Sequence, residues 1–198
     1  MFALVEDGSI TKTLSGNRGI TLGDIQYPRS IYTLWSAAER EAIGIYEVVW
    51  DNTNKKDEEY YNNTNQSFAF AGGVVTASYG SATAKPHADT LFTAQDEIDG
   101  KGTEGEVAAE GLKTVRIKTI KQQAAGILQD TDWYIVRKAD AGTAVPSAIT
   151  THRAAVRTKA ASMETAITNA ADTPALAALY VYNADNPPTR PLGELPIL

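Results

Sequence analysis

The chain has 198 residues, of which 43% are hydrophobic and 21% are charged, a composition typical of a folded protein rather than a disordered one. It contains no cysteine, which excludes disulfides, thiolate metal sites and cysteine nucleophiles. The net charge of -6 gives little reason to expect nucleic acid as a partner, and no apolar run approaches the roughly 20 residues of a membrane span.

The first part of the chain is predicted to form a small β-rich domain, residues 1–80. Strands are expected at 2–5, 43–50 and 68–79, where β-branched and aromatic residues are bounded by Gly, Asn and Asp. A short helix is expected at 34–42, with Ser36 as its N-cap. The Asn-rich run at 51–66 has few apolar residues and many turn formers, so it is expected to be an exposed loop.

A connector follows at residues 81–105, where Gly, Ala and acidic residues dominate. This composition offers little apolar surface to bury and predicts a solvated linker.

Two amphipathic helices are then predicted, together forming a helical hairpin at residues 106–172. The first covers about 106–129, with a stripe formed by Leu112, Val115, Ile120, Ala124, Ile127 and Leu128. The second covers about 147–171, with Ile149, Val156, Met163 and Ala170 spaced seven residues apart. The expected fold class is therefore α+β: a β-rich domain, then a long antiparallel hairpin, then an extended Pro-rich tail at 173–198.

The segment between the two helices, residues 127–147, is predicted to be a structural corner. Trp133 follows Asp130, Thr131 and Asp132 where the first helix is expected to stop, and Pro146 marks the start of the second. We expect Asp132, Trp133 and Pro146 to define this corner, with the Trp133 ring buried.

The charge is unevenly distributed. Residues 113–159 carry nine Lys or Arg and three Asp or Glu, a net charge of +6, between acidic flanks. This pattern is compatible with docking onto acidic protein or with nucleic-acid contact. The favoured interpretation is solvated helix faces that neutralise acidic parts of the same molecule.

Motifs for chemistry are absent from the sequence. It has two histidines, His87 and His152, far apart, and no Gly-x-Ser-x-Gly elbow, phosphate loop or dinucleotide fingerprint. No catalytic, cofactor-binding or metal-ligating residue is therefore predicted, and the chain is not expected to be an enzyme. Tyr60, Tyr61, Phe68 and Phe70 could stack on a ligand, but alternating aromatics are more often the core of a sheet.

The corner and its flanks carry a resemblance. The run Ala-Gly-Ile-Leu-Gln-Asp-Thr-Asp-Trp-Tyr-Ile-Val-Arg-Lys at 125–138, with Gly-Thr-Ala-Val-Pro-Ser at 142–147 and His-Arg-Ala-Ala-Val-Arg at 152–157, resembles the C-terminal region of tailed-bacteriophage tail proteins. In those proteins a helix ends in Leu-x-x-Thr-Asp-Trp and the next helix carries an Arg-x-x-x-Arg pair, matched here by Arg153 and Arg157. The start of the chain, with Tyr27-Pro28 and the strand at 43–49, is similar to the same proteins. The Asn-rich run and the Pro-rich tail depart from that pattern.

The resemblance implies a structural protein of a virion tail, made in the host cytoplasm, that joins baseplate or tail-fibre subunits and forms trimers or hexamers. Neither a membrane nor nucleic acid is an expected partner. Lys113, Arg116, Arg153 and Arg157 are the candidate contacts with acidic neighbours. Two alternatives remain open: a tail-fibre assembly chaperone absent from the mature virion, and a receptor- or glycan-binding module that uses the region from 51 to 79.

Overall fold

The computed structural model describes residues 1–64 and 66–198; Asn65, in the predicted Asn-rich loop, lies outside the described residues. The fold is mixed α/β, with strands in the N-terminal part and helices in the C-terminal part, as the sequence predicts at this coarse level. The chain divides into two compact units, Met1–Thr83 and Ala84–Leu198, which we call unit 1 and unit 2.

Unit 1 is built mainly of short strands. Its elements in chain order are β1 (Phe2–Glu6), β2 (Ser9–Leu14), β3 (Ile20–Leu22), β4 (Ile25–Tyr27), α1 (Ile31–Leu34), α2 (Ala37–Glu41), β5 (Ile45–Asp51), β6 (Tyr61–Asn62), β7 (Ser67–Ala71) and β8 (Val74–Ser78), and the short strand β9 (Thr83–Ala84) lies at the boundary between the units.

Five of these strands form one sheet in the order β2-β1-β5-β8-β7. β5 and β8 run parallel, and the other neighbours run antiparallel. The edge strands β2 and β7 also contact each other, so the sheet curls into a half-barrel. Strand β1, between β2 and β5, is buried on both faces: Leu4 packs with Ile31 and Ile45, while Ala3 packs with Val75 on the opposite face.

Local sequence explains two features of unit 1. The predicted strand at 68–79 is divided into β7 and β8 because Gly72 and Gly73 both have positive φ, 57° and 79°, as a two-residue hairpin turn requires. Ser36 caps α2 as predicted, since its hydroxyl accepts the Glu39 amide while the Glu39 carboxylate accepts the Ser36 amide. These hydrogen bonds from Ser36 lower the pKa of Glu39.

Unit 2 contains most of the helical residues of the chain. Its elements in chain order are β10 (Thr90–Leu91), α3 (Ala94–Ile98), β11 (Val107–Ala109), α4 (Leu112–Gln129), α5 (Asp132–Ala141), α6 (Ser147–Asn169) and α7 (Thr173–Ala178).

Helices α4 and α6 pack together and bury the predicted stripe of α6. Of the predicted α4 stripe, Leu112, Ile120 and Ala124 are buried, whereas Val115 is 42% exposed. The start of α4 meets the end of α6, because Lys113 Nζ donates to the Thr168 carbonyl over 2.7 Å. The end of α4 meets the start of α6, where Arg153 donates to the Leu128 carbonyl. The connection differs from the predicted corner, because the separate helix α5 stands between the two.

Part of the segment predicted as a solvated linker, 81–105, is instead tied to the helices, at residues 85–89. The Lys85 carbonyl accepts the Thr173 hydroxyl, the Pro86 carbonyl accepts the Leu112 amide, and His87 Nε2 lies 2.9 Å from the Ala170 carbonyl. Composition misled the prediction because these contacts are made mostly by backbone groups, which every residue type possesses.

Asp89, which belongs to the same segment, caps α4 although it precedes the N-cap residue Gly111 by 22 residues. Its carboxylate accepts the Gly111 amide at 2.7 Å and the Thr114 hydroxyl at 2.9 Å. The Lys113 amide donates to the His87 carbonyl, as the Leu112 amide does to Pro86, so a helix whose own N-cap is glycine still has its first amides satisfied. The Gly111 amide, followed by the Thr114 hydroxyl, lowers the pKa of Asp89.

The C-terminal segment, predicted to be extended, is partly folded. Asp172 caps α7 by accepting the Ala175 amide. Further along, Leu192 is 2% exposed, and its carbonyl accepts Lys159 Nζ over 2.8 Å. Apolar side chains inside the Pro-rich sequence explain this packing, and the exposed apolar end begins only at Ile197.

Candidate protein interface

Arg153 lies at the junction of three helices and is 6% exposed. Its Nη1 donates to the Leu128 carbonyl at 2.7 Å and to the Thr131 hydroxyl at 2.6 Å, and its Nη2 lies 2.8 Å from Asp132 Oδ1. The Leu128 carbonyl is one of the last-turn acceptors of α4 that have no partner within the helix. One guanidinium on α6 therefore fixes both the end of α4 and the beginning of α5.

Arg153 was predicted as a contact for an acidic neighbour, and the structure corrects this. A planar guanidinium with several donors suits a site with three acceptors, and here they are all internal. The sequence could not reveal this role, because the acceptors are 21 to 25 residues away from Arg153.

The three residues predicted for the corner have different roles. Asp132 binds Arg153, and Pro146 is at the N-cap position of α6, where its carbonyl accepts the Thr150 amide. Trp133 is 51% exposed, so the prediction of a buried ring was wrong. Thr131 and Asp132 begin α5, which places Trp133 in its first turn, and Arg153 provides the buried anchor instead.

Helix α5 has no buried residue. Trp133, Ile135 and Val136 are all exposed, and we call this set the α5 surface. The Trp133 and Tyr134 rings are 3.9 Å apart between centroids, with the Arg137 guanidinium 4.6 Å from the Trp133 centroid. These neighbouring exposed apolar side chains make α5 a candidate surface for binding another protein.

A cavity of about 470 Å³ lies beside the end of α4. Ile127, Met163 and Leu195 contribute its apolar wall, and Asp130 and Glu194 contribute carboxylates. Gly126 also lines it.

Gly126 stands inside α4, where glycine is less favourable than alanine by about 1 kcal/mol. A Cβ added at Gly126 would meet nothing within 4 Å, so packing within the chain does not require glycine there. Sequence reasoning missed this residue, although a glycine interrupting a helical pattern was a visible signal.

The other predicted partner contacts are mostly used inside unit 2. Lys113 donates to the end of α6, and the Arg116 guanidinium lies 5.0 Å from the centre of the Tyr180 ring. Arg157 is exposed, and within the described part of the chain it makes no hydrogen bond or ion pair. Three of the four predicted partner contacts, Lys113, Arg116 and Arg153, therefore contact groups of their own unit.

The aromatic residues considered for ligand stacking are largely unavailable. Tyr60 is 2% exposed, and Phe68 and Phe70 pack against the half-barrel core. Tyr61 is half-buried in the short strand β6. Alternation of aromatics along a strand thus indicates core in this case.

Comparison of the chain with models of protein families, with curated proteins and with solved structures found no match.

Among residues 1–64 and 66–198, no group of three or more His, Asp or Glu side chains is placed to hold a metal ion. No helix in that part of the chain combines the length and the apolar character needed to cross a bilayer.

Proposed function

We propose that this chain is a structural component of a bacteriophage tail, a baseplate or tail-fibre connector that acts through protein-protein contacts. The observation that carries the proposal is the α5 surface: three exposed apolar side chains on a helix with no buried residue, anchored at its start by the buried Arg153. The resemblance of residues 125–138 to tail proteins is the reason for assigning this surface to a bacteriophage tail.

The composition of α5 supports a role in binding protein. Trp, Tyr and Arg are the residue types most enriched among the energetically dominant residues of protein interfaces, and α5 presents Trp133, Tyr134 and Arg137 within five positions. Because Arg153 already fixes the start of α5, a partner would not need to order that end of the helix on binding. Such preorganisation increases affinity without additional contacts.

The basic side chains of α5 define the partner further. Arg137 and Lys138 accompany the apolar residues, so the proposed neighbour is a tail subunit whose apolar surface is bordered by carboxylates. The cavity at Gly126 is a second contact point, where a partner's apolar side chain could approach the backbone of α4 closely.

The proposal also includes a role for the helices of unit 2, for the C-terminal residues and for the symmetry of the assembly. Helices α4 and α6 act as an antiparallel hairpin that carries α5 at one end. The last residues, with Ile197 and Leu198 exposed, act as an extended arm that joins a neighbouring subunit. Trimeric or hexameric symmetry within the tail is the expected arrangement.

An assembly chaperone would use the α5 surface in the same way and then leave the particle. Mass spectrometry of purified virions and of dissociated tails separates the two functions. We expect the chain in the tail fraction, at a stoichiometry in threes or sixes. Its absence from particles, together with its presence in infected-cell lysate, would reject the connector and favour the chaperone.

A further inference from the structure

Unit 1 has an exposed aromatic pair at the mouth of its half-barrel. Trp50 ends β5 and Tyr79 directly follows β8, and since these strands are parallel neighbours the two rings lie at the same end of the sheet. Their centroids are 6.2 Å apart and their planes are inclined by only 29°. Trp50 is 41% exposed and Tyr79 is half-buried, so the pair leaves aromatic surface open to solvent.

The loop after β5 is held beside this pair. The Asp51 carboxylate accepts the amide of Thr53 at 2.9 Å and its hydroxyl at 2.6 Å, which sets a tight turn. Asn54 Nδ2 then donates to the Tyr79 carbonyl at 3.3 Å, and Lys55 Nζ lies 5.6 Å from the centre of the Tyr79 ring.

Two further hydrogen bonds hold the loop at a later position in the chain. Asn63 accepts the Lys56 amide at 2.9 Å and donates to the Lys56 carbonyl at 2.8 Å. A polar loop fixed at both ends in this way has its side chains placed before any ligand arrives.

A polar cavity of about 540 Å³ lies within this loop, lined by Asn52, Lys55, Lys56, Asp57 and Glu58. Lys55 belongs both to the cavity and to the aromatic pair, so the two features adjoin. The cavity presents amide, ammonium and carboxylate groups, which together can donate to and accept from hydroxyl groups.

We propose that Trp50, Tyr79 and the 52–58 loop form a binding site for a neutral oligosaccharide. The rings would take the apolar C–H face of a pyranose, and the loop would bind its hydroxyls. This site is separate from the α5 surface and does not depend on the connector function.

The charge of the loop decides between neutral and anionic ligands. Residues 51–59 contain four carboxylates and two ammonium groups. Polyanions such as nucleic acids or sialylated chains bind where positive charge is in excess, which is the reverse of this loop. A neutral sugar has no such penalty.

The test uses the full chain on an array of neutral and acidic glycans that also carries single-stranded DNA, followed by titration of the best neutral oligosaccharide by isothermal titration calorimetry. We expect binding to at least one neutral glycan. Trp50→Ala is expected to lower the affinity about tenfold or more, and Trp50→Phe to retain most of it.

Leu34→Ala is the matched control, because it removes another exposed apolar side chain of unit 1 and should leave the affinity unchanged. Lys55→Ala, at an exposed side chain, tests the loop without touching the sheet and should weaken binding severalfold. Binding of acidic ligands alone, no glycan bound at all, or equal affinity of the wild type and the Trp50→Ala and Lys55→Ala variants would overturn the proposal.

Discussion

At the scale of single residues, Arg153 and Arg157 show how one motif can contain two different roles. Both belong to the Arg-x-x-x-Arg pair of α6, one turn apart. Arg153 is buried with three acceptors, whereas Arg157 is exposed. A sequence motif gives the residue type and spacing, but the depth of each side chain depends on which face of α6 meets α4.

The pair provides a matched test of the anchor. Arg153→Ala removes the guanidinium that donates to the Leu128 carbonyl and the Thr131 hydroxyl, while the bond from that hydroxyl to that carbonyl remains. Losing these two hydrogen bonds, at about 0.5–1.5 kcal/mol each, is expected to lower the free energy of unfolding by about 1–3 kcal/mol. We discount any contribution of Asp132 because its side chain is more than half exposed. Chemical denaturation measures the loss.

Arg157→Ala is the control for the anchor and should change the free energy of unfolding by less than about 0.5 kcal/mol. If the two variants unfold at the same denaturant concentration, Arg153 does not have the role assigned to it.

At the scale of elements, the periodic helices were predictable and the parts between them were not. The stripes of α4 and α6 appear in the sequence because each helix buries one face, and the Ser36 capping box is equally local. Helix α5 was missed because its fixed beginning depends on Arg153, a distant residue. Residues 85–87 and Leu192 are held by long-range contacts that involve backbone groups, which leave no periodic pattern.

The candidate site was predicted only in part. The segment that carries the α5 surface was singled out, but Trp133 was expected to be buried and Gly126 was overlooked. Exposure of an apolar side chain is a property of the packed unit, and helical spacing alone does not distinguish a face that meets the core from one that meets a partner.

Gly126 gives a test at this scale. Gly126→Ala should raise the thermal stability of the isolated chain by up to about 1 kcal/mol, because alanine favours the helix and the added methyl group meets no atom of the chain. Thermal unfolding followed by circular dichroism measures this change. A lower melting temperature would mean that the chain itself needs glycine at this position, and the cavity would lose its significance for a partner.

At the scale of the whole molecule, the two units have separate cores and separate candidate surfaces. Unit 1 has a half-barrel with an aromatic pair at its mouth, and unit 2 has packed helices that present α5. Variants in one unit are therefore expected to leave binding by the other unchanged. Such a division suits a connector, which must bind one molecule without disturbing the contact with another.

The central claim is that α5 is covered by another protein in the assembled tail, and the absence of cysteine allows a direct measurement. Val136→Cys places the only thiol of the chain on the α5 surface, and Asp24→Cys places one at an exposed turn of unit 1 as a reagent control. Maleimide labelling is followed in the free chain and in purified particles. We expect the Val136→Cys thiol to react rapidly in the free chain and to be protected in particles in which the Asp24→Cys thiol still reacts. Equal labelling at 136 in both states would contradict the central claim.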